Sequence, residues 1–293
     1  ANSDLTNNGS IVSAGNVTLN LASLTNKTSS IASAQIISGN NLSITANTSD
    51  IKNIGAKIGA VNSLNLIALN GNILNSALVQ TNDKSLLDAN PDSYQLATGA
   101  TARTVGNISA IGSGNITSVL LANASIKGGS VNIIAGNDFN NLAAKIEATK
   151  ESVSVTAGND VNIGTLALHN RTESTWGNRK KGGEKVVDIT TNLTSEISSA
   201  SDINLTSYND TTLQGAKLKA SEDVNITATN NLLILTATDS SLVTEKAKNK
   251  STFVFSKSTN GAIGTDIHNT EISAGTGSSN SQAVAKTQNV DGS

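Results

Sequence analysis

The residues able to do chemistry are few, and their placement points away from catalysis. His169 and His268 are the only imidazoles of the 293-residue chain, and it has no cysteine. A thiol nucleophile, a disulfide framework, a thiolate metal site and a multi-histidine metal site within the chain are therefore excluded. Glycan cleavage needs carboxylates converging on one cleft. Asp160, Asp202, Asp210 and Asp223 instead stand beside the starts of separate short apolar runs, where aspartate makes an Asx-type turn. Gly158-Asn159-Asp160-Val161-Asn162 has a superficial likeness to a calcium-binding nonapeptide, but the Gly-Gly-x-Gly part is missing. Gly112-Ser113-Gly114 and Gly128-Gly129 lack a following Gly-Lys-Ser/Thr, so they read as turn glycines rather than phosphate loops. No cofactor, no metal and no catalytic residue is expected, and the chain reads as a non-enzyme.

The most distinctive local feature is Trp176 followed by Arg179, Lys180, Lys181, Gly182 and Gly183. An aromatic beside a cationic tip suits an anionic glycan or lipid headgroup. The plainer reading is a solvated loop tip whose charges keep a hairpin soluble and block edge pairing. Phe253-Val254-Phe255 reads as a strand packed on the body of the protein, and both histidines as exposed polar residues. With net charge −2, nothing provides the basic footprint of a nucleic-acid binder.

The scaffold holding these residues is legible in composition and spacing. Asn, Ser and Thr make up 110 of the 293 residues, hydrophobic residues 37% and aromatics 2%. Small apolar residues between Asn-rich punctuation imply a narrow core repeated many times. Without methionine, the chain reads as an internal or processed piece of a longer polypeptide. No signal peptide is visible at Ala1-Asn2-Ser3-Asp4, and no apolar run approaches the ~18 residues of a membrane span.

A turn followed by apolar–polar–apolar alternation recurs at Gly158-Asn159-Asp160-Val161-Asn162-Ile163 and at Ser221-Glu222-Asp223-Val224-Asn225-Ile226. Weaker copies begin at Gly15, Gly39 and Ser201. Each reads as a short strand with one buried face. Ile203 to Val224 and Thr211 to Leu232 span 21 residues; Leu42 to Leu64, Val131 to Val153 and Phe139 to Val161 span 22. Ile36, Ile58, Ile126, Ile146 and Leu218 form a further track ahead of these. Three short strands per period of 21–22 residues predict an all-β, right-handed parallel β-helix, whose coils bury a face only by stacking. Turn asparagines at one phase are expected to form hydrogen-bonded ladders. A leucine-rich repeat would need a helical return, and a propeller a period near ~40.

Two stretches break the register. Residues 82–104, with Pro91 and Tyr94, read as a loop inserted between coils, and 166–196 as a protruding hairpin or loop. A related segment begins near Lys248, and both lead to Glu-Ile-Ser, at Glu196 and at Glu271. The expected organisation is shaft coils over 1–165, an extension over 166–196, coils over 197–245, and a second extension with the start of another repeat over 246–293. Two to three coils are expected per extension.

Residues Thr194 to Thr244, with Ile203-Asn204-Leu205, Gly215-Ala216-Lys217-Leu218 and Asp223-Val224-Asn225-Ile226-Thr227-Ala228, resemble the haemagglutinin repeat of filamentous-haemagglutinin-type exoproteins. Residues 11–165 resemble the looser shaft repeats of the same proteins. These are the secreted partners of two-partner secretion and include adhesins, haemolysins and contact-dependent growth-inhibition effectors. The resemblance implies a rigid segment on a Gram-negative cell surface, presenting a distal adhesive or toxic module. The partners it implies are the flanking repeats and an outer-membrane transporter that recognises a domain not seen in this sequence. Two other readings stand beside it. One is direct binding of a host or target-cell glycan or receptor through Trp176, Arg179, Lys180 and Lys181. The other is a β-helical carbohydrate-active enzyme.

Overall fold

The computed structural model describes residues 3–29, 33–83, 93–96, 101–103, 116–177, 181–250 and 255–275. Among them every regular element is a strand. Three sheets, of eight, eight and seven strands, are parallel; a fourth, of eight strands, is antiparallel. The chain visits the parallel sheets in rotation. Ile51–Ile54 lies on a first face, Lys57–Ala60 on a second and Ser63–Ala68 on a third. Ile73–Ser76 then pairs with Ile51–Ile54 one level on. This is the expected parallel β-helix, eight coils deep on its first two faces.

The register matches the sequence spacing. Leu42 pairs with Leu64, Val131 with Val153, Phe139 with Val161, Ile203 with Val224 and Thr211 with Leu232. Parallel pairing in strict register stacks like on like, so each inward position becomes a column along the axis. Ile36, Ile58, Ile126, Ile146, Ile197 and Leu218 form one such column, none more than 1% exposed. β-Branched side chains suit this because they fill a pleated surface. Among the described residues Phe139 is the single aromatic in the core, as a coil only three short strands round has little room for rings.

One inward column is polar. Asn7, Asn26, Asn53, Asn75 and Asn141 lie at successive levels, buried where the first face turns into the second. The Nδ2 of each donates to the Oδ1 of the next, four times at 2.8 Å. These amides also bond corner carbonyls, including those of Gln35, Lys57, Ala56 and Ala144. Burying an amide is tolerable because these bonds satisfy it. Beyond Asn141 the column turns apolar with Ile163 and Leu213.

A second ladder runs along the turn entering the first face. The backbone N–H of Asn72 donates to Asp50 Oδ1, that of Asp160 to Asp138, that of Asp210 to Asp160 and that of Asn231 to Asp210, at 2.8–3.3 Å. Asp202 accepts the Asp223 N–H in the same way (3.0 Å) before the third face. The sequence suggests turn chemistry for these aspartates within one coil. The bonds run between coils instead, so each carboxylate caps the level above or below it.

The fourth sheet comes from three excursions, all leaving the first face and returning to the second. They depart after Ser76, Gly164 and Leu235 and rejoin at Ser125, Glu196 and Glu271. Leu78–Asp83 pairs with Ile116–Ala122, Leu166–Gly177 with Lys181–Leu193, and Ala237–Lys250 with Phe255–His268. The insertion expected at 82–104 therefore starts earlier and ends later, with Ser93–Leu96 and Thr101–Arg103 as an added ladder on its edge. Residues 237–245, expected in the shaft, belong to the third hairpin.

The hairpins do not stand alone. Lys181–Thr190 of the second pairs with Ser240–Asn249 of the third, and Asn170 and Arg171 of the second pair with Thr117 and Ile116 of the first. Geometry makes this continuity possible. A hairpin is two strands wide and recurs every second coil. Strands and coils share one spacing of ~4.8 Å, so both advance ~10 Å together. The coils between close the same corner with one left-handed residue: Gly55 (φ 57°), Ala143 (φ 50°) and Gly215 (φ 55°). These tight corners seat the hairpin bases. A Cβ on Gly55 would lie 2.5 Å from Leu78 Cβ, and one on Gly215 3.0 Å from Ala237 Cβ.

Candidate contact surface

The second hairpin carries the residues singled out in the sequence. Its return strand contains Val186, Val187, Ile189, Thr190 and Thr191, β-branched residues that favour the extended backbone. Trp176 stands opposite Gly183 in the strand pair, and Gly177 opposite Gly182, so Trp176 lies near the far end. Lys181 opens the return strand and pairs with Asn249 of the third hairpin. Arg179 and Lys180 lie outside the described residues, as do Phe253, Val254, Gly112, Ser113 and Gly114. Phe255 opens the strand Phe255–His268 at the far end of the third hairpin, opposite Lys250.

Closer to the shaft, one side of the second hairpin carries a charged network. His169 Nε2 is 2.7 Å from Asp188 Oδ1, and Arg171 Nη1 is 3.4 Å from Asp188 Oδ2. Arg171 also bonds Glu173. That bond, with Asp188 close by, raises the guanidinium further above its ordinary value. Along the same side Lys246 Nζ of the third hairpin is 3.9 Å from Glu184. Every second residue shares a face, so Arg171, Glu173, Glu184, Asp188 and Lys246 align by strand parity.

The base of the third hairpin holds a second node. Asp239 Oδ1 accepts the backbone N–H of Asn192 (2.7 Å) and the Asn192 side-chain amide (3.1 Å). Its Oδ2 is 3.1 Å from His268 Nε2, which is buried without an aligned hydrogen bond, so the contact is one of charge when the ring is protonated. Burial pushes the Asp239 carboxyl up, but Asn192 and His268 together hold it below its ordinary value. The histidines expected to be plain exposed polar residues are thus both half-buried and set against aspartates. Each partner stands on the opposite strand of the same hairpin, a relation set by hairpin register that composition does not reveal.

The aspartates that a carbohydrate-active site would need are committed elsewhere. Asp160 also accepts from Asn209 Nδ2 (2.8 Å), and Asp210 from Asn230 and Asn231 Nδ2 (2.9 Å each). Among the described residues no three of His, Asp and Glu group as a metal site. Sequence reasoning also missed that Lys246 and Lys248 lie beside the second hairpin, with Lys257 one strand further out. Lys248 pairs with both Gly182 and Lys257, one strand away on either side. The alternation Lys246-Ala247-Lys248-Asn249-Lys250 was the available signal.

A family model described as Hemagglutinin repeat matches residues 20–175 and, overlapping it, residues 93–254. The offset between the two starts is close to one unit of two coils with its hairpin. No curated protein and no solved structure matches the chain significantly.

Proposed function

Because this chain belongs to the haemagglutinin-repeat family, a family of adhesin-type surface repeats, we propose that it is a shaft segment of a large secreted bacterial exoprotein. In this reading it holds a distal adhesive or toxic module away from the cell. The observation that carries it is the uninterrupted stacking of eight levels on two faces. Seven spacings of ~4.8 Å give a rod roughly 34 Å long from this segment alone. Stiffness comes from in-register ladders rather than from disulfides, because stacked coils share nearest-neighbour interfaces along their whole perimeter. An outer-membrane transporter of the two-partner type would export the parent molecule through a different region. The cross-coil use of Asp160, Asp202 and Asp210 argues against a carbohydrate-active enzyme.

The test is to delete or duplicate residues 161–231, a two-coil unit with its hairpin, within the parent protein. A passive spacer predicts that delivery to the target cell persists, varying smoothly with length. Loss of target-cell binding on deleting this unit, while deletion of another two-coil unit leaves it intact, would overturn the spacer reading.

A second reading rests on the level ends of the second and third hairpins, which bring two basic segments side by side. Here Trp176, Arg179, Lys180 and Lys181 contact a target-cell glycan or receptor directly. Saturable binding of the chain to epithelial cells or target bacteria, lost on changing residues 179–181 to alanine, is the expected result. Unchanged binding in that variant would exclude it.

A further inference from the structure

We propose that the third face of the shaft is a lateral docking surface for a second copy of this chain, a pairing that goes beyond the spacer reading. The face is built from Val17–Leu21, Leu42–Ala46, Ser63–Ala68, Ser130–Ala135, Val153–Ala157, Ile203–Ser207 and Val224–Ala228. Three observations carry the pairing. First, the face is open to a long partner. The three hairpins leave the first face and return to the second, so the third face borders none of them. Two shafts can approach along it over the full depth of the sheet.

Second, the face is uncharged. None of its seven strands holds Asp, Glu, Lys, Arg or His. The strands of the second face, by contrast, hold Lys57, Lys127, Lys145, Lys217 and Lys219 with Glu147, Glu196 and Glu271. Outward amides on the third face bond along the shaft: Asn132 Nδ2 donates to Asn65 Oδ1 at 3.3 Å and Asn225 Nδ2 to Asn204 Oδ1 at 3.0 Å. A copy of the same face can therefore be laid on it without stranding a charge away from water. The carboxylates at its margins are turned onto N–H groups of the next level, as Asp138, Asp160 and Asp202 are.

Third, its centre is apolar. Ser130–Ala135 is the middle strand of the seven. Its outward Ile134, 38% exposed, pairs in register with Ile67. Val61 and Leu69 flank the strand of Ile67 and are 54% and 53% exposed. On the other levels the position of Ile134 is held by Thr45, Thr156, Thr206 and Thr227. An apolar centre inside a polar margin is the anatomy of a protein–protein interface, and a two-fold pair sets centre on centre. Six steps of ~4.8 Å by five residues of ~3.3 Å cover about 500 Å² per copy. The total of about 1,000 Å² is the low end for a specific contact, so the pair is a weak one. A neutral glycan fits less well. Ligand sites are concave and rich in aromatic side chains, and these seven strands contain no aromatic residue.

The experiment is sedimentation equilibrium of the whole chain, up to its highest soluble concentration, at low and high salt. A weak monomer–dimer equilibrium is expected. Salt should tighten it, because the acidic margins of two copies repel across the pair and salt screens them. Ile134→Lys sets like charges at the centre and should weaken the dimer at least about ten-fold. Ile134→Thr copies Thr156 one level on, so the fold accepts it, and it should weaken the dimer by a smaller factor. Ile267→Ser, on the third hairpin and 57% exposed in the parent chain, should leave it unchanged. A monomer at every concentration, or a dimer indifferent to both Ile134 variants, overturns the proposal. Retention on a neutral glycan that is lost in Ile134→Lys, without a dimer, also overturns it. The spacer reading survives each of these outcomes, since the deletion and duplication of coils decide it separately.

Discussion

Substitution at the middle and at the end of the buried asparagine column separates a cooperative ladder from a set of independent polar residues. Asn53 is an interior rung. It accepts from Asn26 and donates to Asn75, each at 2.8 Å, and it also donates to the Ala56 carbonyl at 2.9 Å. Asn141 is the last rung, accepting from Asn75 and donating to Ala144 O. Isoleucine fits this column sterically, since Ile163 occupies it one level beyond Asn141. Asn53→Ile therefore isolates the polar loss. It removes two ladder bonds, each ~1 kcal/mol net, and leaves the buried Asn75 Oδ1 without its donor, at ~1–3 kcal/mol. A total of about 3–5 kcal/mol is expected. Asn141→Ile removes one ladder bond, leaves Asn75 Nδ2 with the more distant Lys145 carbonyl (3.4 Å), and extends the apolar column by one level. About 1–2 kcal/mol is expected. Amide hydrogen exchange resolved by coil is the assay, because stacked repeats open locally and one global transition would average the effect. Loss of protection should centre on residues 51–76 for Asn53→Ile. Equal costs for the two variants, or a loss spread evenly over all coils, would refute the ladder.

The left-handed corners should respond in opposite directions. Ala143→Gly relieves a φ of 50° and should be neutral or stabilising by up to ~1 kcal/mol in urea melts. Gly55→Ala, whose Cβ would meet Leu78 at 2.5 Å, should destabilise by at least ~2 kcal/mol. Acid should weaken the shaft. The Lys127 bond, aided by Lys145, depresses Glu147. Burial pushes Asp50 up, but the Asn72 N–H and Lys52 bring it below its ordinary value. Depressed carboxylates stabilise above their unfolded values, and that stability is lost as pH falls through the folded ones. The urea midpoint should therefore drop below about pH 4, and a variant carrying Asp50→Asn and Glu147→Gln should show a flatter profile. Replacing 165–194 by a tight corner like that of Gly215 should leave the shaft folded but strip the third hairpin of its neighbour. Faster proteolysis within 245–260 should report this, and an unchanged rate would contradict the edge pairing.

The shaft was legible because its signal is periodic and local. Val131, Val153 and Ile203 sit at one phase, and only stacking could bury them. Turn asparagines do bond from coil to coil, as Asn62 to Asn40 and Asn70 to the Asn47 carbonyl, but the buried column, which the turns did not announce, lies within the first-face strands. Parity explains the position: Asn53, Asn75 and Asn141 each follow a core residue by two places, after Ile51, Ile73 and Phe139, and alternation along the strand turns them inward. The hairpins were harder. Their own sequences alternate weakly, and what fixes them is pairing with a neighbour far along the chain, as in Asp188 beside Leu242 or Asp239 beside Asn192. Charge made 166–196 conspicuous, yet the lysines that complete its surroundings belong to the next hairpin, a relation set by register alone. Ser195 and Thr270 were visible as recurring hydroxyls before Glu-Ile-Ser. Their task was not: each accepts the N–H of Ala144 or Ala216 and donates to corner carbonyls where a hairpin rejoins the shaft.

The shared step of strand and coil also limits how such a molecule can change length. Gaining or losing a single coil would put two tight corners, or two hairpins, at adjacent levels. The outer sheet would then be one hairpin short or one hairpin crowded, and the mismatch would pass to every level beyond. A change of two coils with their hairpin leaves each edge facing the edge it faced before. Viable reach is therefore quantised, in increments near the stretch of chain from Glu196 to Glu271, and recombination between units should be tolerated only at that interval.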